Sequence, residues 1–391
     1  MARAVLRLGM AVLSLFALSA YGGTEFWADP VRGDDGNDGR SADRAFRTLN
    51  AATANLKAGD VLHLAPGAKF RESLKIRASG EPRKPIAVKG NGAVISGLEP
   101  VPDDSWEDKG EGLWLSTNGT AWGACRPRVL LPSGEMVSVP ISDAAFRRPE
   151  LLKPGCAAWR KEGIWFRPEA GRNPSDYALR GFYRVSGVEI VGRHYIEIEN
   201  LTAEHFSNDG FNVHGSCRGL VFRNITARGN GDDGFSVHED VMASVYGLNS
   251  FGNDNGIADV SISQSMFCGA VVESNRLCGV DFHGGIHIMR DSTVKDNGRV
   301  QILARGRKGD DPMATARVFL EGVKVSGSEG VALKVREHSE VSARNCMFSG
   351  TEIGLDLEGG RTHLAGSTID SSGTSVRRTG ESVFTQAGPV R

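Results

Sequence analysis

Residues 196–239 read IEIENLTAEHFSNDGFNVHGSCRGLVFRNITARGNGDDGFSVHE, and they contain the same pattern twice. Each unit has two short segments with apolar residues at alternating positions, then a polar turn, and then Gly-Phe-x-Val-His. Alternation with a period of two is typical of β-strands. Its recurrence at a regular interval is typical of stacked coils, so this stretch predicts a solenoid of short strands.

The same interval continues through the C-terminal half of the chain. Eight anchor positions are separated by 24, 23, 22, 22, 31, 23 and 21 residues: Asn200, Asn224, Gly247, Gly269, Asp291, Gly322, Asn345 and Gly366. An apolar residue precedes each anchor by two positions: Ile198, Phe222, Val245, Phe267, Met289, Leu320, Ala343 and Leu364. The pattern predicts an all-β parallel β-helix in which this apolar column forms one buried ladder. A leucine-rich repeat would need a Leu-x-x-Leu-x-Leu frame, which is absent, and a propeller blade would need about 40 residues.

A second column consists of turn asparagines: Asn208, Asn230, Asn253, Asn275 and Asn297. Asparagine tolerates the backbone conformations of turns, and stacked asparagines can hydrogen-bond to one another. We therefore predict an asparagine ladder along one edge of the solenoid.

The composition of the 391-residue chain excludes several classes of protein. With 24% charged residues, 40% hydrophobic residues and a formal net charge of -1, the chain is not intrinsically disordered. The balance of 46 Lys and Arg against 47 Asp and Glu leaves no global positive field, so we expect no nucleic-acid partner. The 50 glycines show no Gly-X-Y period, which excludes collagen and indicates many tight turns. The six cysteines lack zinc-ligand spacing, and their pairing stays open.

Residues 1–23 have the pattern of a signal peptide. Arg3 and Arg7 precede the apolar run LGMAVLSLFALSA, and small residues follow it. The run is short for a membrane span, which needs about 20 residues. We therefore expect export to the periplasm or the exterior, no membrane span after cleavage, and a monomer.

Residues 24–98 are predicted to form an N-terminal cap and the first coils. The cap is a short amphipathic helix between Ser41 and Gly59, with Phe46, Leu49 and Leu56 on one face. The segments FWADPVRGDDGNDG (26–39), AFRTL (45–49), LKAGDVLHLAPGAKFRE (56–72) and GAVISG (92–97) resemble secreted β-helix proteins of the pectate-lyase-like superfamily. That resemblance covers residues 26–98 and the repeats from 185 onward, and it implies a right-handed coil.

Residues 99–183 interrupt the repeats and are predicted to form a β-rich insertion. They hold five of the six tryptophans, which would form the core of the insertion or, if exposed, stack on sugar rings; we favour the core. The coils resume over residues 184–380, and residues 381–391 are interpreted as a tail.

Outward-facing polar residues follow the asparagine turns. One column consists of Asn212, Ser236, Asp259, Asp281 and Gln301, and its neighbour consists of His214, His238, Ser261, His283 and Leu303. The coil with Asp259 needs a one-residue bulge to align. Adjacent coils are about 4.8 Å apart, and histidine carries protons near neutral pH. We therefore predict that His214, His238, His283 and Asp281 line one groove, whereas His287 falls in an inward column.

The segment GDDGFSVHED (231–240) resembles the catalytic loop of mannuronan C5-epimerases. Four positions match that loop: Gly234, Phe235, His238 and Glu239. Ser236 and Val237 stand where the family has Asp and Pro, which weakens an epimerase assignment. The Asp232–Asp233 pair is also similar to the carboxylates of β-helix polygalacturonases, although turn chemistry alone favours a structural role for Asp232.

Two further features point to an anionic ligand. The turn carboxylates Asp209, Asp233 and Asp254 could hold Ca²⁺, which some polysaccharide lyases of this fold use to neutralise a uronate; no other cofactor is expected. The long segment ARGRKGDDPMATA (304–316) would overhang the groove or form a solvated loop. In the first case, its cations Arg305, Arg307 and Lys308 would bind carboxylates or sulfates.

These features predict an exported carbohydrate-active enzyme that acts on a uronate-containing polysaccharide by β-elimination. His238 would be the base or the acid, His214 or His283 its counterpart, and Arg276 or Arg305 would meet the substrate carboxylate. The candidate substrate-binding residues are Asn212, Ser236, Asp259, Arg276, Arg305, Arg307 and Lys308. A glycoside hydrolase would use two carboxylates from Asp281, Asp259 and Glu239. A C5-epimerase, or a non-catalytic glycan-binding or surface protein, remains an alternative.

Overall fold

The computed structural model describes residues 22–118, 126–309 and 311–387. Nearly all of the predicted signal peptide, as well as Trp122, Cys125, Asp310 and residues 388–391, lies outside these described residues. Within them, none of the helices has the length and apolar character needed to cross a membrane. The five described cysteines are free thiols.

Two parallel sheets form the solenoid, which has about 14 turns. The larger sheet has eighteen strands: Glu25–Ala28, Val61–Leu64, Lys69–Phe70, Ile86–Ser96, Ile196–Glu204, Cys217–Arg228, Val241–Phe251, Gln264–Cys268, Val271–Glu273, Ile286–Arg290, Thr293–Lys295, Ala316–Glu321, Lys324–Ser326, Ser339–Arg344, Met347–Ser349, Arg361–Ala365, Thr368–Asp370 and Val383–Ala387. The other sheet has ten strands: Leu74–Ile76, Val188–Val191, Phe211–His214, Asp233–Val237, Asn255–Val260, Cys278–His283, Val300–Arg305, Val331–Arg336, Ile353–Glu358 and Thr374–Thr379. The predicted parallel β-helix is confirmed.

The predicted apolar ladder is buried and in register. Ile198 pairs with Phe222, Phe222 with Val245, and Val245 with Phe267, and the pairing continues through Met289 to Leu320. Each of these six side chains is at most 1% exposed. Because every coil places one apolar residue on the next, the core runs without interruption along the axis.

The eight anchor residues have a backbone conformation that explains their type. All of them have positive φ, between 46° and 71°. Only Gly, Asn and Asp adopt this left-handed region at low cost. The anchors therefore mark one bend in each coil of the larger sheet, inside a long strand at Asn200, Asn224 and Gly247 and between two short strands at the other five.

The asparagine ladder contains four of the five predicted members. The side-chain amide of Asn230 donates to Asn253 (2.9 Å), that of Asn253 to Asn275 (3.0 Å), and that of Asn275 to Asn297 (2.9 Å). The prediction was wrong for Asn208, because the backbone N–H of Phe206 occupies the matching position and donates to Asn230 Oδ1. A separate prediction, that Gln301 faces outward, was also wrong: Gln301 is fully buried and ends the ladder, because its Oε1 accepts from the Asn297 amide (2.9 Å).

The N-terminal cap is shorter than predicted. An α-helix spans Leu49–Thr53, after a 3₁₀ turn at Ala42–Arg44. Thr48 caps the α-helix, since its side chain accepts from the backbone N–H of Ala51, whereas the side chain of Ser41 makes no cap hydrogen bond. Leu49 and Leu56 nevertheless pack into the core and cover the first coil.

The insertion forms two small antiparallel sheets. One contains Trp106–Asp108, Trp114–Ser116, Cys156–Arg160 and Gly163–Arg167, and the other contains Leu98–Pro100, Val129–Leu130 and Arg180–Phe182. Its helices are the short α-helix Ala144–Arg147 and 3₁₀ turns at Asp103–Ser105, Pro149–Leu151 and Pro174–Tyr177; a further 3₁₀ turn, Pro312–Ala314, lies in the long loop. Trp159 is 2% exposed and belongs to the insertion core, and Trp106 and Trp165 pack against its clusters. These three tryptophans therefore stabilise the insertion.

The last coil extends into the segment interpreted as a tail. Val383–Ala387 pairs in parallel with Arg361–Ala365. The edge of a strand carries unpaired backbone N–H and C=O groups, and residues 383–387 hydrogen-bond to them. The solenoid therefore continues beyond residue 380.

Asp259 lies inside the solenoid, so its predicted outward position was wrong. It aligns with Val237 and Phe282, both of which are fully buried, and no bulge rotates it outward. Its carboxylate lies 3.3 Å from Nδ1 of the equally buried His287 and accepts a hydrogen bond from Ser263. The predicted inward position of His287 is confirmed, and its ring stacks on Phe282 at 4.5 Å.

We expect the Asp259→Asn substitution to lower the free energy of unfolding by about 3 kcal/mol at pH 7, because it replaces a fully buried carboxylate that faces His287 and accepts a hydrogen bond from Ser263. Burial alone would raise the pKa of Asp259. The neighbouring His287 and the hydrogen bonds that Asp259 accepts nevertheless hold that pKa below its ordinary value. The stabilisation by the ionised Asp259 carboxylate is therefore present above about pH 4, and it is lost as the pH falls through the depressed pKa of Asp259. Denaturant unfolding of the wild type and of Asp259→Asn from pH 7 to pH 3 measures the difference in unfolding free energy. A difference that does not shrink towards acid pH would contradict a stabilising role of the ionised Asp259 carboxylate.

Candidate active site

The outward side chains of the ten-stranded sheet form two columns. One runs Glu189, Asn212, Ser236, Ala258, Asp281 and Leu303, and the other includes Val191, His214, His238, Val260, His283 and Arg305. His214, His238, His283 and Asp281 thus lie on one face, with Ala258 in the place predicted for Asp259. Asn212 is half-buried in this face, and its amide donates to Ser186 Oγ (3.1 Å).

His214 and His238 form a stacked pair. Their ring centroids are 4.2 Å apart and the ring planes differ by 4°. Nδ1 of His214 lies 3.3 Å from the carboxylate of Glu239, which also accepts the backbone N–H of Gly215. Burial and the neighbouring His214 lower the pKa of His238. His238 is therefore mainly neutral at pH 7, as a general base must be.

Ser236 connects His238 to a carboxylate. Its Oγ lies 2.9 Å from His238 Nε2 and 2.9 Å from Asp233 Oδ2. Ser236 is fully buried, and Asp233 also accepts from the side chain of Asn255 (2.9 Å). A hydroxyl both donates and accepts, so this chain holds the His238 ring in place and can pass a proton between His238 and Asp233.

Three carboxylates converge where the turns enter the sheet. Oxygens of Asp209, Asp232 and Asp233 all lie within 4.8 Å of one another. Burial and the charge of Asp232 raise the pKa of Asp233 to about 7, and burial and Asp233 raise that of Asp209. Asp232, interpreted above as an ordinary turn residue, is therefore part of the cluster.

Asp254 does not join this cluster, so its predicted place in a metal site was wrong. Its carboxylate forms ion pairs with Arg126, Arg128 and Arg276. Arg126 also lies 3.0 Å from Asp232 and so connects the two groups. Burial lowers the pKa of Arg128 to about 9. Arg126 and Arg128 come from the insertion, more than 100 positions before Asp254, and no sequence pattern links them to the site.

Asp281 and Arg305 are bound to each other. The Arg305 guanidinium donates to both Asp281 oxygens, at 3.0 Å and 2.6 Å. This pairing argues against Asp281 as a free catalytic carboxylate and against Arg305 as a free substrate ligand. His283 lies beside the pair, and burial and the charge of Arg305 lower its pKa. Arg307 and Lys308 are exposed in the following loop, which contacts the solenoid where Gly285 N–H donates to Met313 O (2.8 Å).

The carboxylate cluster fits a divalent cation. Oxygens bound to one Ca²⁺ at about 2.5 Å lie at most about 5 Å apart, and the three aspartates satisfy that limit. Carboxylates are also the hard oxygen ligands that Ca²⁺ prefers. Asp209, Asp232 and Asp233 are therefore the residues that could hold the ion.

Calcium is expected to raise the thermal unfolding midpoint by several degrees, since a ligand at 100 times its Kd adds about 2.7 kcal/mol of stability. Asp233→Asn should remove this shift because it deletes one ligand charge, whereas Glu329→Gln, at an exposed acid elsewhere, should retain it. Thermal unfolding with calcium and with chelator measures both. An equal shift in wild type and Asp233→Asn would exclude the cluster as the site.

The sequence matches no protein-family model and no curated protein. Solved structures do match the fold. A complex of XylC with xylose aligns at 13% identity and a TM-score of 0.61, over 89% of this chain and 70% of that one. The pectate lyase Pel9A aligns at 12% identity and a TM-score of 0.57, over 92% of this chain and 80% of that one. A glycoside hydrolase aligns at 11% identity and a TM-score of 0.59, over 93% of this chain and 96% of that one.

At these identities the matches establish the fold and no activity. The chain therefore has the parallel β-helix fold of these three solved structures.

Proposed function

We propose that the protein is a carbohydrate-active enzyme that cleaves a uronate-containing polysaccharide by β-elimination. The observation that carries the proposal is the hydrogen-bonded connection from His238 through Ser236 to the carboxylate cluster. It places a neutral histidine beside groups that can hold a cation, and arginines lie at the edge of the same site. We also propose export, on the basis of residues 1–23, and action as a monomer.

The chemistry assigns a role to each member of the histidine pair. His238 takes the proton on the carbon next to the uronate carboxylate, the glycosidic C–O bond breaks, and a C=C bond forms. Its Nε2 is held by Ser236, so Nδ1 is the nitrogen that accepts this proton. His214, whose Nδ1 faces Glu239, donates a proton to the departing oxygen through Nε2.

Cations near the cluster would stabilise the charge that develops on the substrate carboxylate. Arg126 and Arg276 are the arginines at this position. Ca²⁺ bound by Asp209, Asp232 and Asp233 would supply further positive charge there. Such fixed charges act strongly where water is excluded.

A specific observation also favours glycoside hydrolysis as a second candidate. The raised pKa of Asp233, about 7, keeps a protonated carboxylic acid close to Asp232, and hydrolases need one acid and one carboxylate. The oxygens lie within 4.8 Å, nearer to the short carboxyl separation of retaining enzymes than to that of inverting ones.

The test is incubation of the purified protein with polygalacturonate, alginate, rhamnogalacturonan and a neutral xylan, with calcium or chelator. Unsaturated ends and reducing ends are counted separately. We expect the two to rise together on a uronate polymer. Reducing ends without unsaturated ends would indicate a glycoside hydrolase instead of a lyase. Exchange of the C5 proton with solvent without cleavage would indicate an epimerase, and no change in any polymer would indicate a binding protein.

A further inference from the structure

A large cleft separates the insertion from the solenoid beside the carboxylate cluster. Its volume is 1190 Å³, and we call it the insertion cleft. Its lining includes Arg126, Asp254 and Arg276 of the group described above. Because Arg126 also contacts Asp232 at 3.0 Å, a ligand in the cleft would reach the edge of the active site.

The cleft is strongly cationic in a chain that is almost neutral. Six cations line it, against the two carboxylates Asp254 and Glu162: Arg126, Arg128, Arg147, Arg160, Lys161 and Arg276. The whole chain has a formal net charge of -1. Low-dielectric walls concentrate such a local charge, so the cleft attracts anions.

Four of the six cations pair with the two carboxylates, whereas the two at the exposed edge of the cleft, which we call the rim, do not. Arg126, Arg128 and Arg276 share Asp254, and Arg160 pairs with Glu162 at 2.7 Å. Arg147 and Lys161 are exposed, and neither has a carboxylate partner among residues 22–118, 126–309 and 311–387.

Arg160 also fixes the rim. Its guanidinium donates to the backbone carbonyls of Phe146 (3.3 Å) and Arg147 (2.5 Å). It thereby connects the strand that precedes Lys161 to the helix that carries Arg147. The two free cations are therefore presented from one ordered edge of the cleft.

Apolar side chains lie beside these cations. Met136 is 43% exposed, Ile141 51% and Leu277 42%, and all three line the cleft. A sugar ring has apolar C–H faces, and a uronate adds a carboxylate at the ring edge. A single-stranded nucleic acid would need exposed aromatic platforms, but Trp159 in this lining is 2% exposed. The combination suits an acidic oligosaccharide.

We propose that the insertion cleft is a binding subsite for an anionic polysaccharide and that Arg147 and Lys161 select chains that carry free carboxylates. The choice of polymer rests on the proposed function, but the subsite is tested by binding alone. The carboxylates of the chain would lie along the rim, and its ring faces would lie on the apolar wall.

The probes are polygalacturonate oligomers and their methyl esters, measured by calorimetry at two salt concentrations in the presence of chelator. Arg147→Glu/Lys161→Glu should weaken binding of the free acid at least about tenfold and reduce its dependence on salt. Binding of the ester should change little. The matched control Lys57→Glu/Lys324→Glu reverses two exposed lysines outside the cleft and should bind like wild type.

Arg147→Gln/Lys161→Gln, which removes the charges without reversing them, should give a smaller loss of the same kind, and the unfolding midpoints of all variants are compared with wild type. Equal affinity of wild type and the charge-reversed variant for the free acid would overturn the subsite, as would an equal loss for acid and ester. If the oligomer binds as expected but is never cleaved, the subsite stands and the β-elimination proposal fails. If unsaturated ends form but the rim variants bind the free acid like wild type, the β-elimination proposal stands and the subsite fails.

Discussion

Replacement of His238 by alanine is expected to leave the protein folded and to lower kcat on the cleaved polymer by at least about 100-fold. The side chain faces outward and is only partly buried, so its removal opens no cavity in the core. Its loss removes the group proposed to take the proton. The rate of formation of unsaturated ends, together with the unfolding midpoint, measures both parts of this expectation.

Three companion measurements sharpen this result. His363→Ala removes an exposed histidine that is bound to Thr385 and lies outside the site, and it should change neither activity nor stability. Ser236→Ala leaves His238 in place but removes its connection to Asp233, and it should change the pH profile as well as kcat. Because burial and His214 lower the pKa of His238, activity should fall only as the pH drops below 6.5. A folded His238→Ala protein with full activity would exclude the residue from the mechanism, and an unfolded one would show a structural histidine.

Phe222→Ala is expected to have the opposite pattern, with a loss of about 3–5 kcal/mol in the free energy of unfolding. Phe222 is fully buried, and its ring meets those of Phe211 and Phe235 edge to face, at 6.0 Å and 5.0 Å. The smaller side chain leaves a cavity that the stacked coils above and below cannot fill without breaking their register. Denaturant unfolding measures the loss.

Phe222→Leu provides the graded control, since it leaves a smaller cavity and should cost less than the alanine variant. Val31→Ala, at a side chain that is 83% exposed, should have no measurable effect. A cost below about 1 kcal/mol for Phe222→Ala would mean that the core relaxes around the gap. Where the variant remains folded, its kcat should stay close to wild type, because Phe222 is buried in the core whereas the histidine pair lies on the outer face of the other sheet.

Several features of the fold could be predicted because they depend on residues close in sequence. The alternation around Ile198 and Phe222 determines which side chains enter the core, and the left-handed anchors at Asn200 and Gly247 limit the residue types at each bend. Since every coil repeats these local rules, the period alone predicts the parallel register. The shared face of His214, His238 and His283 follows from that register.

Other features depend on a shift of a single residue or on contacts across the chain. Asp259 lies in the core because its coil has no bulge, and a shift of one residue turns every side chain of a strand to the other face. Ser236 could be placed on the groove face, but its bond to Asp233 depends on side-chain positions that periodicity does not specify.

The sequence by itself determined the solenoid, its buried ladder and the histidine face, because each follows from a repeat of about 22 residues that every coil obeys. Only the tertiary structure decided how the charges are paired. Arg126 reaches Asp232 and Asp254 from an insertion more than 100 residues earlier, and Arg305 neutralises Asp281 from the next coil. Such pairs form wherever folding brings opposite charges together in a partly buried place, and no local pattern records which partners will meet.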